Sequence, residues 1–187
     1  MIDDITKAAE ILKKGGIILY PTDTIWGIGC DATNKDAVTR IYTLKQREET
    51  KSMLVLVENE NRILRHVKEV PEMAWMLIEV NNQPMTIIYP GAINLAPNLV
   101  NSDQTIGIRI ARDEFCQKLI SKVNKPIVST SANLSGQPSP TLFDEISDEI
   151  KNGVDYVVSW RQEDTVVRQP SQIIKLGLGG EIEILRK

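Results

Sequence analysis

Four stretches of this chain carry residues whose types and spacing could do chemistry. The run Ser129-Thr130-Ser131-Ala132-Asn133-Leu134-Ser135-Gly136 follows the apolar Pro126-Ile127-Val128 with no strong helix former between them. Its hydroxyls, side-chain amide and glycine supply short donors and let the backbone approach a ligand, as an anion or nucleotide cradle would. An Asx or Ser turn that only caps the next segment is the competing reading. Lys45 and Arg47, in Leu44-Lys45-Gln46-Arg47, are two apart and cannot share a helical face, so serving one ligand requires the chain to have left the helix there. A compact ammonium beside a guanidinium fork suits a triphosphate. Basic residues also suit a helix C-terminus with no ligand at all.

The third stretch is Tyr20-Pro21-Thr22-Asp23-Thr24-Ile25-Trp26-Gly27-Ile28-Gly29, a strand that runs into hydroxyls, an acid and two alternate glycines. It matches neither a Walker P-loop nor GxGxxG. It suits close contact with a polar ligand, and equally an irregular strand with a bulge. In the fourth, alternation separates Ile106, Ile108 and Ile110 from Thr105, Gly107, Arg109 and Ala111. The isoleucines face a core, and Arg109 stands in mid-strand on the other face, where a guanidinium needs an anionic partner unless that face is solvated.

The elements that must position these stretches read as alternating helices and strands. Ile5 to Lys14 is a helix, with Asp4 available as its cap and Gly15-Gly16 as its stop. Helices are also expected at 36–44, 72–80, 113–122 and 141–151, and strands at 17–20, 53–57, 85–89, 105–111, 126–129, 154–158, 171–175 and 181–185. This is a mixed α/β chain, expected to form one domain over residues 1–187. Its 42% hydrophobic and 25% charged residues are ordinary for a globular protein, and the net charge of −3 argues against a broadly basic nucleic-acid surface. No run is long enough to span a bilayer and Met1-Ile2-Asp3-Asp4 does not open a signal peptide, so a cytoplasmic protein is the default. Cys30 and Cys116 read as reduced, half-buried hydrophobes, and one histidine without a CxxC pattern implies no metal site. His66 reads as a solvated surface residue, Trp26 as a wall of the pocket, and Trp75 as core.

Together, PTDT with the following GIG, KQR, TIGIR and STSANLSG resemble, in order and approximate spacing, the Sua5/YrdC/YciO family of threonylcarbamoyl-AMP synthases. The resemblance runs from about residue 5 to Arg186. It implies a single-domain, YrdC-like twisted sheet of mixed parallel and antiparallel strands, with flanking helices and a large, positively lined concave cavity. It also implies that L-threonine, bicarbonate and ATP give threonylcarbamoyl-AMP and pyrophosphate, the first step of tRNA t6A modification. By similarity Lys45 and Arg47 are catalytic and bind ATP, with Lys51, Thr105, Ser131, Asn133 and Arg186 also on the nucleotide side. Thr24, Arg109, Ser129 and Ser171 fall where the family binds threonine. Mg2+ would arrive with ATP and need no protein site, and a separate threonylcarbamoyl-transferase acting on tRNA would take the product.

Some segments depart from the family pattern. Glu48-Glu49 replaces the usual proline after KxR, Asn82-Gln83-Pro84-Met85-Thr86 replaces PGPxT, Ser159-Trp160-Arg161-Gln162 stands where a DGG-like turn is common, and Arg168-Gln169-Pro170-Ser171-Gln172 replaces GxPST. A YciO-like paralogue with altered activity and a non-catalytic RNA-binding or ribosome-associated protein are the alternatives. Intact Lys45, Arg47, Ser131 and Asn133 favour the synthase.

Overall fold

The computed structural model describes residues 1–49 and 53–187. Nine strands, β1 (Ile18–Tyr20), β2 (Gly27–Gly29), β3 (Leu54–Val57), β4 (Met85–Tyr89), β5 (Ile106–Ile110), β6 (Ile127–Ser131), β7 (Tyr156–Val157), β8 (Gln172–Leu176) and β9 (Ile182–Arg186), form one sheet. Its order is β7-β1-β2-β6-β3-β5-β4-β8-β9. The β1–β7, β3–β5 and β4–β8 pairs are parallel and the others antiparallel, so the sheet is mixed as expected. Among the described residues five α-helices flank it: α1 (Ile2–Lys13), α2 (Lys35–Leu44), α3 (Glu72–Val80), α4 (Glu114–Val123) and α5 (Asp148–Gly153).

Strand alternation divides the apolar residues between two cores. On one face Leu19, Ile28, Val55, Val57, Ile87, Ile106, Ile108 and Val128 are buried with Ala37, Val38 and Ile41 of α2. On the other, Ile18, Tyr20, Leu56 and Ile127 pack under Ala8, Ala9 and Leu12 of α1 and Phe115, Leu119 and Ile120 of α4. Burying each such leucine, isoleucine or phenylalanine contributes about 1.5–3 kcal/mol. Register carries this second face onward: Leu56 lies opposite Arg109 on β5 and Ile127 on β6, and Arg109 lies opposite Thr86 on β4. Beyond Arg109 and Ile127, no helix among the described elements covers that face, and a cavity opens there.

Gly29 explains the glycine pair of the β1–β2 hairpin. A Cβ there would meet Tyr20 Cε1 and the Val128 carbonyl oxygen, both at 2.6 Å, so only glycine lets the Tyr20 ring cross. Tyr20 then donates its hydroxyl to the Val128 carbonyl at 3.1 Å.

Several expectations are corrected. Gly27–Gly29 forms its own strand rather than an irregular extension of β1. The first helix begins at Ile2, and Asp4 lies inside it, where its carboxylate accepts bonds from Tyr156 and Ser159 instead of capping. Burial opposes that carboxylate's charge, but the bonds from Ser159 and Tyr156 outweigh it and hold its pKa below the ordinary value. The helix expected over 141–151 breaks into a 3-10 turn, Phe143–Glu145, and the short α5 capped by Ser147. His66 is buried rather than solvated, with its pKa lowered mainly by desolvation. Trp75 is only partly buried. Both cysteines are free and fully buried, more deeply than expected.

Candidate active site

The chain leaves α2 at Lys45, and Gln46 adopts a left-handed conformation with φ of 51°. That departure from the helix is the condition under which Lys45 and Arg47 could serve one ligand, and Arg47 does reach the cavity wall. Lys45 goes elsewhere. It is 1% exposed, is not among the cavity-lining residues, and its ammonium donates to the Ser131 and Asn133 carbonyls at 2.5 Å each. Burial, then the neighbouring Arg47 charge, lower its pKa to about 7, against acceptor oxygens that favour the charged form.

Asn133 completes a knot around that ammonium. Its Nδ2 donates to the Leu134 and Gln137 carbonyls at 2.9 and 2.6 Å, and its Oδ1 accepts from the Ser131 hydroxyl. The Ser135 N–H returns to the Lys45 carbonyl at 2.8 Å. Both amide hydrogens of Asn133 are thus spent within the turn. The opening loop acts here as a frame that fixes Lys45 beside β6, while Ser129, Thr130 and Ser131 line the cavity.

Arg109 is 3% exposed and sits at the boundary between the helix-covered face and the cavity. Its anionic partner is Asp23, with Nη2 3.2 Å from Oδ1, so it is not an arginine on a solvated face. The loop between β1 and β2 wraps the guanidinium: Nη1 donates to Thr24 Oγ1 at 2.9 Å and Nη2 to Thr22 Oγ1 at 3.4 Å. Gly107, two residues earlier on the same face, keeps the floor low. Across the strand pair, Thr86 Oγ1 lies 2.8 Å from Ser171 Oγ, and both line the cavity. Arg186 on β9 donates from Nε to the Ser171 carbonyl at 2.8 Å, which fixes a third guanidinium at the cavity wall.

The cavity measures about 250 Å³ and is lined by three arginines and several hydroxyls, with no carboxylate among the described lining residues. It is therefore suited to anions, since guanidinium N–H groups donate charge-assisted hydrogen bonds to carboxylates and phosphates. Of the residues expected at the site, Thr24, Arg47, Arg109, Ser129, Ser131, Ser171 and Arg186 meet around it. Lys45 and Asn133 do not line it, nor does Thr105, which accepts from Asn101 Nδ2 at 2.9 Å and so supports a residue that does. Lys51 lies outside the described residues. Trp26 is on the wall as expected. Sequence reasoning missed Thr86, Asn101 and Ser139 as lining residues. Thr86 could have been found from its place opposite Arg109 had the β4–β5 register been known.

The departures from the family pattern fall around this geometry. Glu48 and Glu49 are exposed and do not line the cavity. Arg161 donates to the Thr22 carbonyl at 2.9 Å and pairs with Asp164, which also pairs with Arg168. The altered 159–172 segment is thus tied directly to the loop that holds Arg109.

A mixed sheet with one face divided between helices and an arginine-lined cavity defines an α/β protein with a cationic cavity. The Sua5_yciO_yrdC family model, described as telomere recombination, matches residues 10–187, and the chain belongs to that family. It is 34% identical over 145 residues to the threonylcarbamoyl-AMP synthase of Hydrogenovibrio crunogenus, covering 75% of this chain and 77% of that one. The structure of P. abyssi Sua5 complexed with L-threonine superposes with a TM-score of 0.82 at 26% identity, over 92% of this chain and 50% of the other, so this chain spans about half the length of that relative. E. coli YciO gives a TM-score of 0.83 at 26% identity, covering 98% and 88% of the two chains. Among the described residues no helix is long and apolar enough to cross a membrane.

Proposed function

We propose that this chain is a threonylcarbamoyl-AMP synthase, converting L-threonine, bicarbonate and ATP into threonylcarbamoyl-AMP and pyrophosphate. The observation that carries this reading is the placement of Arg47, Arg109 and Arg186 with the hydroxyls of Thr24, Ser129, Ser131 and Ser171 around one cavity on the uncovered sheet face. The amine of threonine and bicarbonate form a carbamate with loss of water. A carbamate oxygen then attacks the α-phosphorus of ATP, and the bond to the β-phosphate oxygen breaks as pyrophosphate leaves with the electron pair. Positioning and fixed cations do most of such work.

Arg109, held from behind by Asp23, Thr22 and Thr24, binds the threonine carboxylate, with Ser129 and Ser171 beside it. Arg47 and Arg186 hold nucleotide phosphates. Ser131 touches the nucleotide, while Asn133, Thr105 and Lys45 act from behind the wall. Lys45 contributes positive potential to the phosphates and rigidity to the 131–137 turn. Enclosing sites for drug-sized ligands usually span about 300–1,000 Å³, so the three substrates together extend beyond the enclosed volume. Magnesium is carried in by the ATP phosphates, and the lining offers them cations rather than carboxylates. The product passes to a separate threonylcarbamoyl-transferase acting on tRNA. The net negative charge of the chain weighs against direct RNA binding as its main role.

The test is pyrophosphate release from ATP with magnesium and bicarbonate, with and without L-threonine, using L-serine as the control. Threonine-dependent release that falls in Arg47→Ala and Arg109→Ala is the expected result. A folded protein that binds ATP but releases no pyrophosphate would overturn the proposal.

A further inference from the structure

Thr22 is 1% exposed and is not among the residues lining the cavity. Its hydroxyl donates to the Ile25 carbonyl at 2.8 Å. A carbonyl oxygen can only accept, so the single proton of Thr22 is spent there. The same oxygen accepts the Thr24 N–H at 3.0 Å and lies 2.9 Å from Thr24 Oγ1. Arg109 Nη2 also reaches this oxygen, but at 3.4 Å, so the second lone pair goes to the closer partner. With the Thr22 proton committed, the hydrogen in the 2.9 Å hydroxyl–hydroxyl contact comes from Thr24. Thr24 Oγ1 also accepts from Arg109 Nη1 at 2.9 Å, which occupies one of its two lone pairs. What remains of Thr24 for a ligand is one lone pair and no proton. Next to it, Arg109 is a donor only, and its buried Nε has no hydrogen-bond partner among the described residues.

We propose that Thr22 is a positioning residue that sets the polarity of the amino-acid subsite: by taking the Thr24 proton it makes Thr24 present only an acceptor beside the Arg109 donor. The subsite then selects a ligand with a carboxylate for Arg109 and an N–H for Thr24, the donor and acceptor pattern of an α-amino acid. This inference rests on the proposed function, because it assumes that threonine occupies this end of the cavity. It makes Thr22 act through Thr24, with no contact to the substrate itself.

The experiment compares calorimetric binding of L-threonine with binding of 3-hydroxybutanoate, which keeps the carboxylate and side-chain hydroxyl but lacks the amine. The unaltered protein should prefer L-threonine. Thr22→Val should shrink that preference roughly three- to tenfold, the span of one hydrogen bond, and Thr22→Ser, which restores donor and acceptor, should return it. A folded Thr22→Val protein with an unchanged preference, including one that binds both ligands equally more weakly, would reduce Thr22 to a structural role and overturn the inference alone. Should Thr22→Val fail to fold, Thr22→Cys carries the test, since a thiol still donates to Ile25 but accepts poorly. An unchanged preference there overturns the inference as well. An unaltered protein that does not bind L-threonine would overturn this inference and the proposed function together.

Discussion

One face of the sheet does two different things along its length. At one end Ile18, Tyr20, Leu56 and Ile127 lie beneath α1 and α4 in a dry core. At the other, β3, β5 and β6 offer Leu54, Gly107, Arg109, Ser129 and Ser131 to a cavity. Strand β6 shows the change within itself, since Ile127 packs under helices while Ser129 and Ser131, two and four residues on, face the open half. Arg109 stands at the boundary, opposite Leu56 on one neighbouring strand and Thr86 on the other. The lesson is that the site is an unfilled half of a core. The rigidity that orders its arginines comes from apolar packing a residue or two away.

The sharpest way to break this contrast is at the boundary. Arg109→Ala leaves the Asp23 carboxylate buried without its partner, and breaking such a pair costs about 3–5 kcal/mol. Both a lowered thermal midpoint and weakened L-threonine binding are expected, measured by calorimetry, and unchanged threonine affinity would remove Arg109 from the subsite. In the dry half, Leu56→Ala should cost about 2–5 kcal/mol through the cavity it leaves. Urea unfolding would show that loss, with L-threonine affinity nearly intact if the halves are energetically separate.

In the open half, Arg47→Ala and Lys45→Ala should each lower turnover at least about tenfold, equivalent to about 1.4 kcal/mol. The structure separates these two. Arg47 lines the cavity, whereas Lys45 is buried behind it, so Lys45→Ala frees the Ser131 and Asn133 carbonyls and should also lower the thermal midpoint. Normal turnover in either variant would contradict the proposed role of that residue.

The smallest effect is a dependence on pH. Lys45 has a pKa of about 7 in the folded chain and 10.5 when exposed, so between those values the unfolded chain binds more protons. The cost of the buried charge is full below about pH 7 and is relieved as pH rises, so this residue makes stability increase with pH. The slope is cleanest up to about pH 8.5, where unfolded-state thiols begin to titrate and the raised pKa values of buried Cys30 and Cys116 oppose it. Lys45→Met should flatten the rise of the urea midpoint over that window, and an unaltered slope would count against the depressed pKa.

The sequence by itself determined most elements and the three arginines of the cavity wall. Period-two alternation in 105–111 placed Arg109 opposite the isoleucines, which follows from local geometry that any strand must obey. The tertiary structure alone decided which polar groups reach the cavity and which are consumed in holding it. Lys45 and Asn133 look from the sequence like ligand contacts, yet they bond to each other's turn, because strand β6 brings residues 131–133 against the end of α2. His66 sits in a polar stretch yet is buried. Thr86 entered the site only through the register of β4 against β5. Hydrogen-bond partners distant in sequence depend on strand order and register, and those are set by how the whole sheet packs rather than by any run of neighbouring residues.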